Sequence, residues 1–575
     1  MKKEVSIGIL LALFLVAIIG GALIFLNMGS SERGYPINST VYTTHERTVI
    51  PIPVPSDSPA LLPHQVSNYS QNGYGQWRFG EGLSYEKRLD LMLPGSSAGS
   101  VTPVARLLYF FAMTDIHITD KESPGEAIYY GYKWGMVSGY SPVMLYSTQV
   151  LDAAVQTVNV LELKKPFDFG IFLGDAANSG QYNELRWYID VLDGKTIKPD
   201  SGVMDDPVPG PLNDYQDRYK AAGLNASIPW YQALGNHDHF WMGLFLPDDY
   251  IKNTFTGNTP LNIGNVLTDN LRIKSRGFYM GAIDGRTPYG DIIGAGTVSE
   301  FLNGPPQVPA DPDRRFLSRT EWIGEFNHSI SAPAGHGFNQ SAITTGFACY
   351  SFEPKSDIPV KVIVLDDTMT DENTPDSSSN GHASLDKKRY EWLVHELDTG
   401  QAENKLMIIA AHLPVGVELG TSGLAPLLTW DKYAAVSDTD LIAKLHTYPN
   451  LLMWIAGHRH QNIITPLKSP DASHPELGFW EVETSSLRDF PQQFRTFEIV
   501  RNSDNTVSVF ATDVDPSVKE GTPAALSRSY AIASMQIFKN PIDPLPSGSI
   551  DAELVKPLSP EMQVIIQNTG TPIGG

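Results

Sequence analysis

Five short segments of the chain carry side chains suited to metal chemistry. They read Thr114-Asp115-Ile116-His117, Gly174-Asp175-Ala176-Ala177-Asn178, Gly235-Asn236-His237-Asp238, Ala411-His412-Leu413-Pro414 and Gly457-His458-Arg459-His460. Asp, Asn and His supply the oxygen and nitrogen donors that suit Mn, Fe, Zn and similar divalent ions. Of 14 histidines in the chain, five fall in these segments: His117, His237, His412, His458 and His460. A lone Asp-x-His or Gly-Asp is more often a cap or a turn than a ligand, and a lone His-x-Pro means almost nothing. Gly-Asn-His-Asp is moderately specific. So is Gly-His-x-His, because alternate residues after a glycine turn bring both imidazoles near one point. All five in this order, each after an apolar run of strand length, argue for one shared centre.

The elements that must position them follow from periodicity. Short apolar runs predict strands over 107–113, 167–173, 230–234, 360–365, 406–411, 451–456 and 479–484, with a strand pair over 497–500 and 507–511. Helical spacing appears over 143–163, 182–192, 387–397 and 440–445. Strands followed by helices make an α/β layered domain, and in such sheets the carboxyl ends of the strands gather at one crevice. Residues 240–345 interrupt the rhythm as a Gly/Pro/Asn-rich insertion whose aromatics favour ordered structure. The insertion starts directly after His237-Asp238, so part of it is expected to wall or lid the crevice. Residues 27–105, with Pro51-Ile52-Pro53-Val54-Pro55, read as an extended spacer, and 516–575 as a tail with a helix over 524–538. The expected domain proper is 106–515. Gly95-Ser96-Ser97-Ala98-Gly99 matches a nucleophile-elbow pattern but lacks the strand before and the helix after it, and reads as a loop.

The order D-x-H, G-D-x-x-N, G-N-H-D, H-x-P, G-H-x-H resembles the signature of calcineurin-like metallophosphoesterases, over roughly 106–510. The likeness extends to large prokaryotic, exported or membrane-anchored members. It implies an α/β fold in four layers, αββα, with two divalent ions (Mn, Fe or Zn) at the sheet edge. It further implies one ion held by Asp115, His117, Asp175 and His460, and a second held by Asp175, Asn236, His412 and His458, with Asp175 bridging. His237 would face the substrate, oriented by Asp238. Asn178 stands where purple acid phosphatases carry an iron-binding tyrosine, and G-D-x-V-D-R-G of the protein phosphatases is absent, so the metal pair stays open.

The implied chemistry is hydrolysis of phosphoesters. Two divalent ions with two carboxylates and a bridging hydroxide leave a site of about +1, which attracts a phosphate. His237 would give a proton to the leaving oxygen. The polar run 483–495 either lines the site or is a strand end and loop. His239, directly after the G-N-H-D run, either reaches the site or caps the following turn, and the turn is the favoured reading. Monoester and diester substrates are not separated by any feature of the sequence. The alternative, from another class, is a noncatalytic surface-anchored binding protein that keeps the fold. Loss of ligand positions would favour it, and none is lost.

Composition bounds the rest. With 575 residues, 42% of them hydrophobic, the chain can bury a sizeable core. Lys+Arg 42 against Asp+Glu 64 gives a net charge of −22, which argues against nucleic acid as a partner. A single cysteine, Cys349, excludes a disulfide framework and a cysteine-held cluster. Residues 5–26 carry no charge and follow Lys2 and Lys3. As a helix that run spans about 33 Å, enough for a bilayer core, and it reads as an uncleaved signal anchor, with a cleaved signal peptide as the other reading. The remainder would lie on the extracytoplasmic side. The sequons at Asn38, Asn68, Asn225, Asn327 and Asn339 fit export, with little weight.

Overall fold

A computed structural model describes residues 33–573 except 94, 97–100, 136–137, 265–275, 370–382, 417–429, 431–433 and 539–546. The anchor reading of 5–26 and most of the elbow pattern at 95–99 lie outside the described residues. Among those described, no helix is long and apolar enough to cross a membrane.

The chain is mixed α/β with several sheets. Thirteen strands of the two large sheets are numbered here. They are β1 (Glu86–Arg88), β2 (Pro103–Met113), β3 (Phe169–Phe172), β4 (Trp230–Gln232), β5 (Tyr350–Phe352), β6 (Val360–Val364) and β7 (Leu406–Ala410). The rest are β8 (Leu451–Ala456), β9 (Ile463–Leu467), β10 (Phe479–Glu483), β11 (Phe494–Asn502), β12 (Val507–Val514) and β13 (Ala552–Lys556). One sheet runs β1-β13-β12-β11-β2-β3-β4, with Thr571–Pro572 added beside β2; the other runs β5-β6-β7-β8-β10-β9. β2, β3 and β4 are parallel, as are β6, β7, β8 and β10. Their carboxyl ends therefore point the same way within each sheet, and all five segments of metal-type residues leave from such ends.

Alternation along the strands sorts the core. Val362, Val364, Ile408, Ala410, Met453 and Ile455 join the cluster that holds Phe110, Ile171 and Phe497 of the other sheet. Their neighbours Ile363, Met407, Ile409 and Trp454 instead pack with Leu393 and Leu397 of α3 (Lys387–Ala402) and Leu441 and Leu445 of α4 (Asp438–Leu445). The first cluster also takes Leu151, Val155 and Val158 of α1 (Ser147–Lys164), and Leu185 and Ile189 of α2 (Tyr182–Leu192). Strands buried on both faces read as continuous apolar runs, which is why run length and composition located them without any alternation.

Two expectations, the spacer and the tail, need correction. Residues 27–105 do not behave as a spacer where they are described. Tyr35, Val41, Val66, Tyr69 and Leu91 join the main core, and β1 pairs with β13. Widely spaced single apolar anchors carry no periodicity, so the segment looked unstructured. The tail contains the expected helix, α5 (Pro523–Phe538), but also β13, a full member of the large sheet. The insertion is ordered, with a hairpin of Phe278–Asp284 and Asp291–Thr297 and helices Asp249–Thr256, Arg319–Glu325 and Gln340–Thr345. Each of these helices is started by a side-chain cap, from Asp248, Ser318 and Asn339 respectively.

Candidate metal centre

The five segments converge. Asp115 and His117 follow β2, Asp175 follows β3, Asn236 and His237 follow β4, His412 follows β7, and His458 and His460 follow β8. Backbone hydrogen bonds tie the first two loops together: Asp115 N donates to Gly174 O (3.1 Å), and His117 N to Asp175 O (3.0 Å). Asp115, His117, Asp175, His458 and His460 all sit at φ between 49° and 70°. For residues with a Cβ this left-handed region costs about 1–3 kcal/mol each, and it persists where the surroundings over-determine it. The chain turns sharply at each strand end and aims the side chain inward. Gly235 permits a close approach, since a Cβ there would collide with Asp175 N and Oδ1.

Each carboxylate has one oxygen tied to protein and one facing a nitrogen cage. Asp115 Oδ2 accepts from Thr114 Oγ1 (2.7 Å) and His458 N (2.8 Å). Its Oδ1 is buried with no hydrogen-bond partner, 3.2 Å from His460 Nε2 and 3.8 Å from His117 Nε2. Asp175 Oδ1 accepts from His237 N (2.8 Å). Its Oδ2 stands 3.6 Å from His117 Nε2 and 3.3 Å from His412 Nε2. Asn236 Oδ1 lies 2.9 Å from His412 Nε2. Three groups have donor atoms close enough to share an ion: Asp115, His117 and His460; Asp175, His412 and His458; and His117, Asp175 and His237.

The imidazoles are oriented from behind. His412 Nδ1 bonds the carbonyl of Leu173 (2.8 Å), so that nitrogen carries hydrogen and Nε2 presents its lone pair. His460 Nδ1 bonds Asp489 Oδ2 (2.5 Å). Yet His460 Nε2 faces His117 Nε2 at 3.2 Å, and His412 Nε2 faces His458 Nδ1 at 3.3 Å. Ring nitrogens this close need a proton or a cation between them, and the second nitrogens of His117 and His458 have no hydrogen-bond partner. Burial opposes charging these rings, but Asp175 outweighs it at His412 and Asp115 at His460, and both are pushed up to about 10. Burial lowers His458 to about 3. Both carboxylates resist burial and stay below the usual range, chiefly through His460 for Asp115 and His412 for Asp175. A donor set with buried orphan atoms, alternating charge and fixed imidazoles fits a pair of divalent ions, which would take the place of those protons.

No protein-family profile matches the chain, and no curated protein matches it. Among solved structures it is similar to a dimetal phosphatase from Danio rerio, with 12% identity, covering 72% of this chain and 100% of that one, at a TM-score of 0.37. That likeness carries no argument at this score, and the site stands on its own geometry.

Two expected roles change. Asp238 does not touch the His237 ring. Its carboxylate accepts from the backbone N of Asp175 (2.9 Å), Gly235 (2.8 Å) and Ala177 (3.2 Å), stitching two loops together. The His237 ring is held instead by the carbonyl of Asn178, 2.6 Å from Nδ1. His239 neither reaches the centre nor caps a turn through its ring, because its Nε2 bonds Thr368 Oγ1 (2.8 Å).

Other residues were missed or left open. The run 483–495 lines the centre: besides Asp489, Ser486 Oγ donates to Asp115 O (2.7 Å) and Arg488 Nη1 donates to Asn178 Oδ1. Asn178 Nδ2 donates to Glu126 Oε2 (2.7 Å), so both ends of its side chain are engaged, by Glu126 and by Arg488. Asp367, buried, accepts from Leu413 N (3.1 Å) beside His412. Polar residues soon after a buried strand were the available signal for Asp489 and for Asp367, which closely follows the strand over 360–365; Glu126 had none.

Proposed function

We propose that this chain is a metal-dependent hydrolase of phosphoesters with a dinuclear centre. The observation that carries the reading is Asp175 Oδ2, free of protein hydrogen-bond donors on the backbone and facing His117 and His412 at once. One ion would be held by Asp115, His117, Asp175 and His460, the other by Asp175, Asn236, His412 and His458. Bound there, the pair would lower the pKa of a shared water and neutralise phosphoryl oxygens for in-line attack. The chain's own contribution is orientation. Leu173 O and Asp489 fix the tautomers of His412 and His460, which keeps donors aimed without rearrangement. His237 donates Nδ1–H to Asn178 O, so Nε2 is the nitrogen left for substrate. Burial lowers this ring to about 3, so it rests neutral. An anionic phosphoester beside it favours the imidazolium, which can then protonate the leaving oxygen from Nε2.

The alternation of core residues supports the αββα layering. The uncharged run 5–26 after Lys2 and Lys3 supports a single-pass anchor with the hydrolase domain on the extracytoplasmic side. The test of function uses the full chain stripped of metal and reloaded with Mn, Fe or Zn in turn. Bound ions are counted, and p-nitrophenyl phosphate and its bis-ester are assayed. Two ions per chain with hydrolysis of either reporter is the expected result. A metal-replete chain that hydrolyses neither would instead support the noncatalytic surface-protein reading.

A further inference from the structure

The first turn of the insertion presses on the candidate centre. Leu244 N donates to Trp241 O (2.9 Å), and the two central residues, Met242 and Gly243, both have positive φ (51° and 67°). That is the pattern of a type I′ turn, which normally selects Gly, Asn or Asp at both central positions. Methionine there is strained. It is held by burial, with Sδ 3.4 Å from Ser179 Oγ, and by the pairing of Trp241 with Phe245. The Trp241 indole is pinned by a bond from Nε1 to Gly125 O (2.8 Å).

The tip of this turn meets two residues of the centre. Gly243 O accepts from Asn236 Nδ2 (3.0 Å), which turns the amide so that Oδ1 faces His412. A Cβ on Gly243 would stand 2.6 Å from His237 Nε2. Glycine therefore keeps open the nitrogen that the phosphoesterase reading gives to the substrate. The next residue is close by geometry: consecutive Cα atoms are about 3.8 Å apart, which puts Leu244 Cα within about 8 Å of that nitrogen. Leu244 and Phe245 are half-buried, and Leu246 is 41% exposed. The centre itself is built from Asp, His, Asn, Arg and Ser. Leu244 and Phe245 pack on the insertion's own cluster with Trp241 and Phe255, so the apolar run that begins one residue after Gly243 is a local change of chemistry beside His237, and strain stored in the turn marks a functional element rather than a plain connector.

We propose that the turn Trp241–Phe245 with Leu246 is the selectivity element of this site, taking the apolar part of an aryl or long-alkyl phosphoester. The proposal rests on the phosphoesterase reading above. A phosphoryl group at the ions with its apolar substituent over Leu244–Leu246 buries exposed leucine surface, and a hydrophobic contact of this size discriminates by roughly 10–200-fold.

The test compares matched esters, phenyl against methyl, as monoester and as diester, on the metal-loaded full chain. Leu246→Ser, at an exposed position that should not disturb folding, is expected to lower the phenyl-to-methyl ratio of kcat/KM about 10-fold, mainly through KM for the phenyl member. Leu244→Ser should move the ratio in the same direction. Unchanged ratios in both variants, with an active wild type, would overturn the selectivity role and leave the hydrolase reading standing. A metal-loaded wild type that turns over none of the four esters would overturn the hydrolase reading, and this proposal with it.

Discussion

His460 Nδ1 stands 2.5 Å from Asp489 Oδ2, and the same ring turns Nε2 toward Asp115 Oδ1 at 3.2 Å. The imidazole thus connects two carboxylates, one behind it and one in the centre. Burial opposes the negative charge of Asp489, but the bond from His460 holds its carboxyl below the usual range. A carboxylate behind a metal-binding imidazole fixes the tautomer and raises ligand basicity, and its loss typically costs 10–100-fold in metal affinity. Asp489→Asn is therefore expected to weaken binding of one of the two ions by roughly that factor. Competition with a chelator reads the affinity directly. Activity should recover at high added metal, which loss of a directly binding residue would not allow.

Asp238 gives a different kind of prediction. Its carboxylate accepts three buried backbone N–H groups. Asp238→Ala would leave them unsatisfied, at about 1–3 kcal/mol each. The expected outcome is a large drop in Tm together with lost metal, because both loops it ties carry candidate ligands. Asp238→Asn keeps one acceptor oxygen and should fall between. A variant with unchanged Tm and reduced turnover would restore Asp238 to the chemical role that its position in Gly-Asn-His-Asp suggests.

How far the sequence could be read divides along physical lines. Asp115, His117, Asp175, Asn236, His412, His458 and His460 were legible because each follows a buried strand, and a buried strand is a dense local signal. Their convergence followed from parallel strand direction. Glu126, Asn178 O and Leu173 O were not legible, because a backbone carbonyl has no sequence letter and Glu126 lies on no periodic element. The insertion's helices had readable starts, such as the capping box of Ser318 and Glu321, but at six to eight residues they are too short to show a period. β13 was hidden for a similar reason, being five residues in a Pro-rich surrounding.

Asp152, on α1 and remote from the centre in sequence, should leave a mark on stability. Burial pushes its carboxyl up to about 7, against the bonds from Ala222 N (2.7 Å) and Gln156 Nε2 (2.9 Å) that favour the charged form. A raised folded pKa means the native state binds the proton more tightly than the unfolded state. Between about pH 4 and pH 7 the native state then holds more protons, so this group's contribution falls as pH rises. Asp152→Asn removes the titration. The stability difference between variant and wild type is expected to grow in the variant's favour from pH 4 to pH 7. A difference flat across that window would show that Asp152 is charged in the fold.

The anchor reading is tested on whole cells. Full-length chain should sediment with membranes and dissolve in detergent, and protease added to intact cells should remove the hydrolase domain. Deleting residues 1–30 should release it. Unprocessed full-length chain recovered from the soluble cytoplasmic fraction would contradict both the anchoring and its direction.

The sharpest division of labour is between Asp175 and His237, joined by a 2.8 Å bond from the His237 backbone N to Asp175 Oδ1. Asp175 has Oδ2 between two imidazole sets, so Asp175→Asn should lower metal content and turnover together. His237 also lies within reach of a shared ion with His117 and Asp175, so its role needs separating from that of a ligand. If it serves the leaving group, His237→Ala keeps both ions and loses turnover by about 10²–10⁴-fold, the span of a positioned acid or base. The loss should be smaller for p-nitrophenyl esters, whose leaving oxygen hardly needs a proton, and larger for alkyl esters. Metal analysis and the two rate ratios together decide the matter. An emptied ion site in His237→Ala would make His237 a ligand. Equal losses for both leaving groups, with both ions retained, would leave it the task of positioning the phosphoryl group through Nε2.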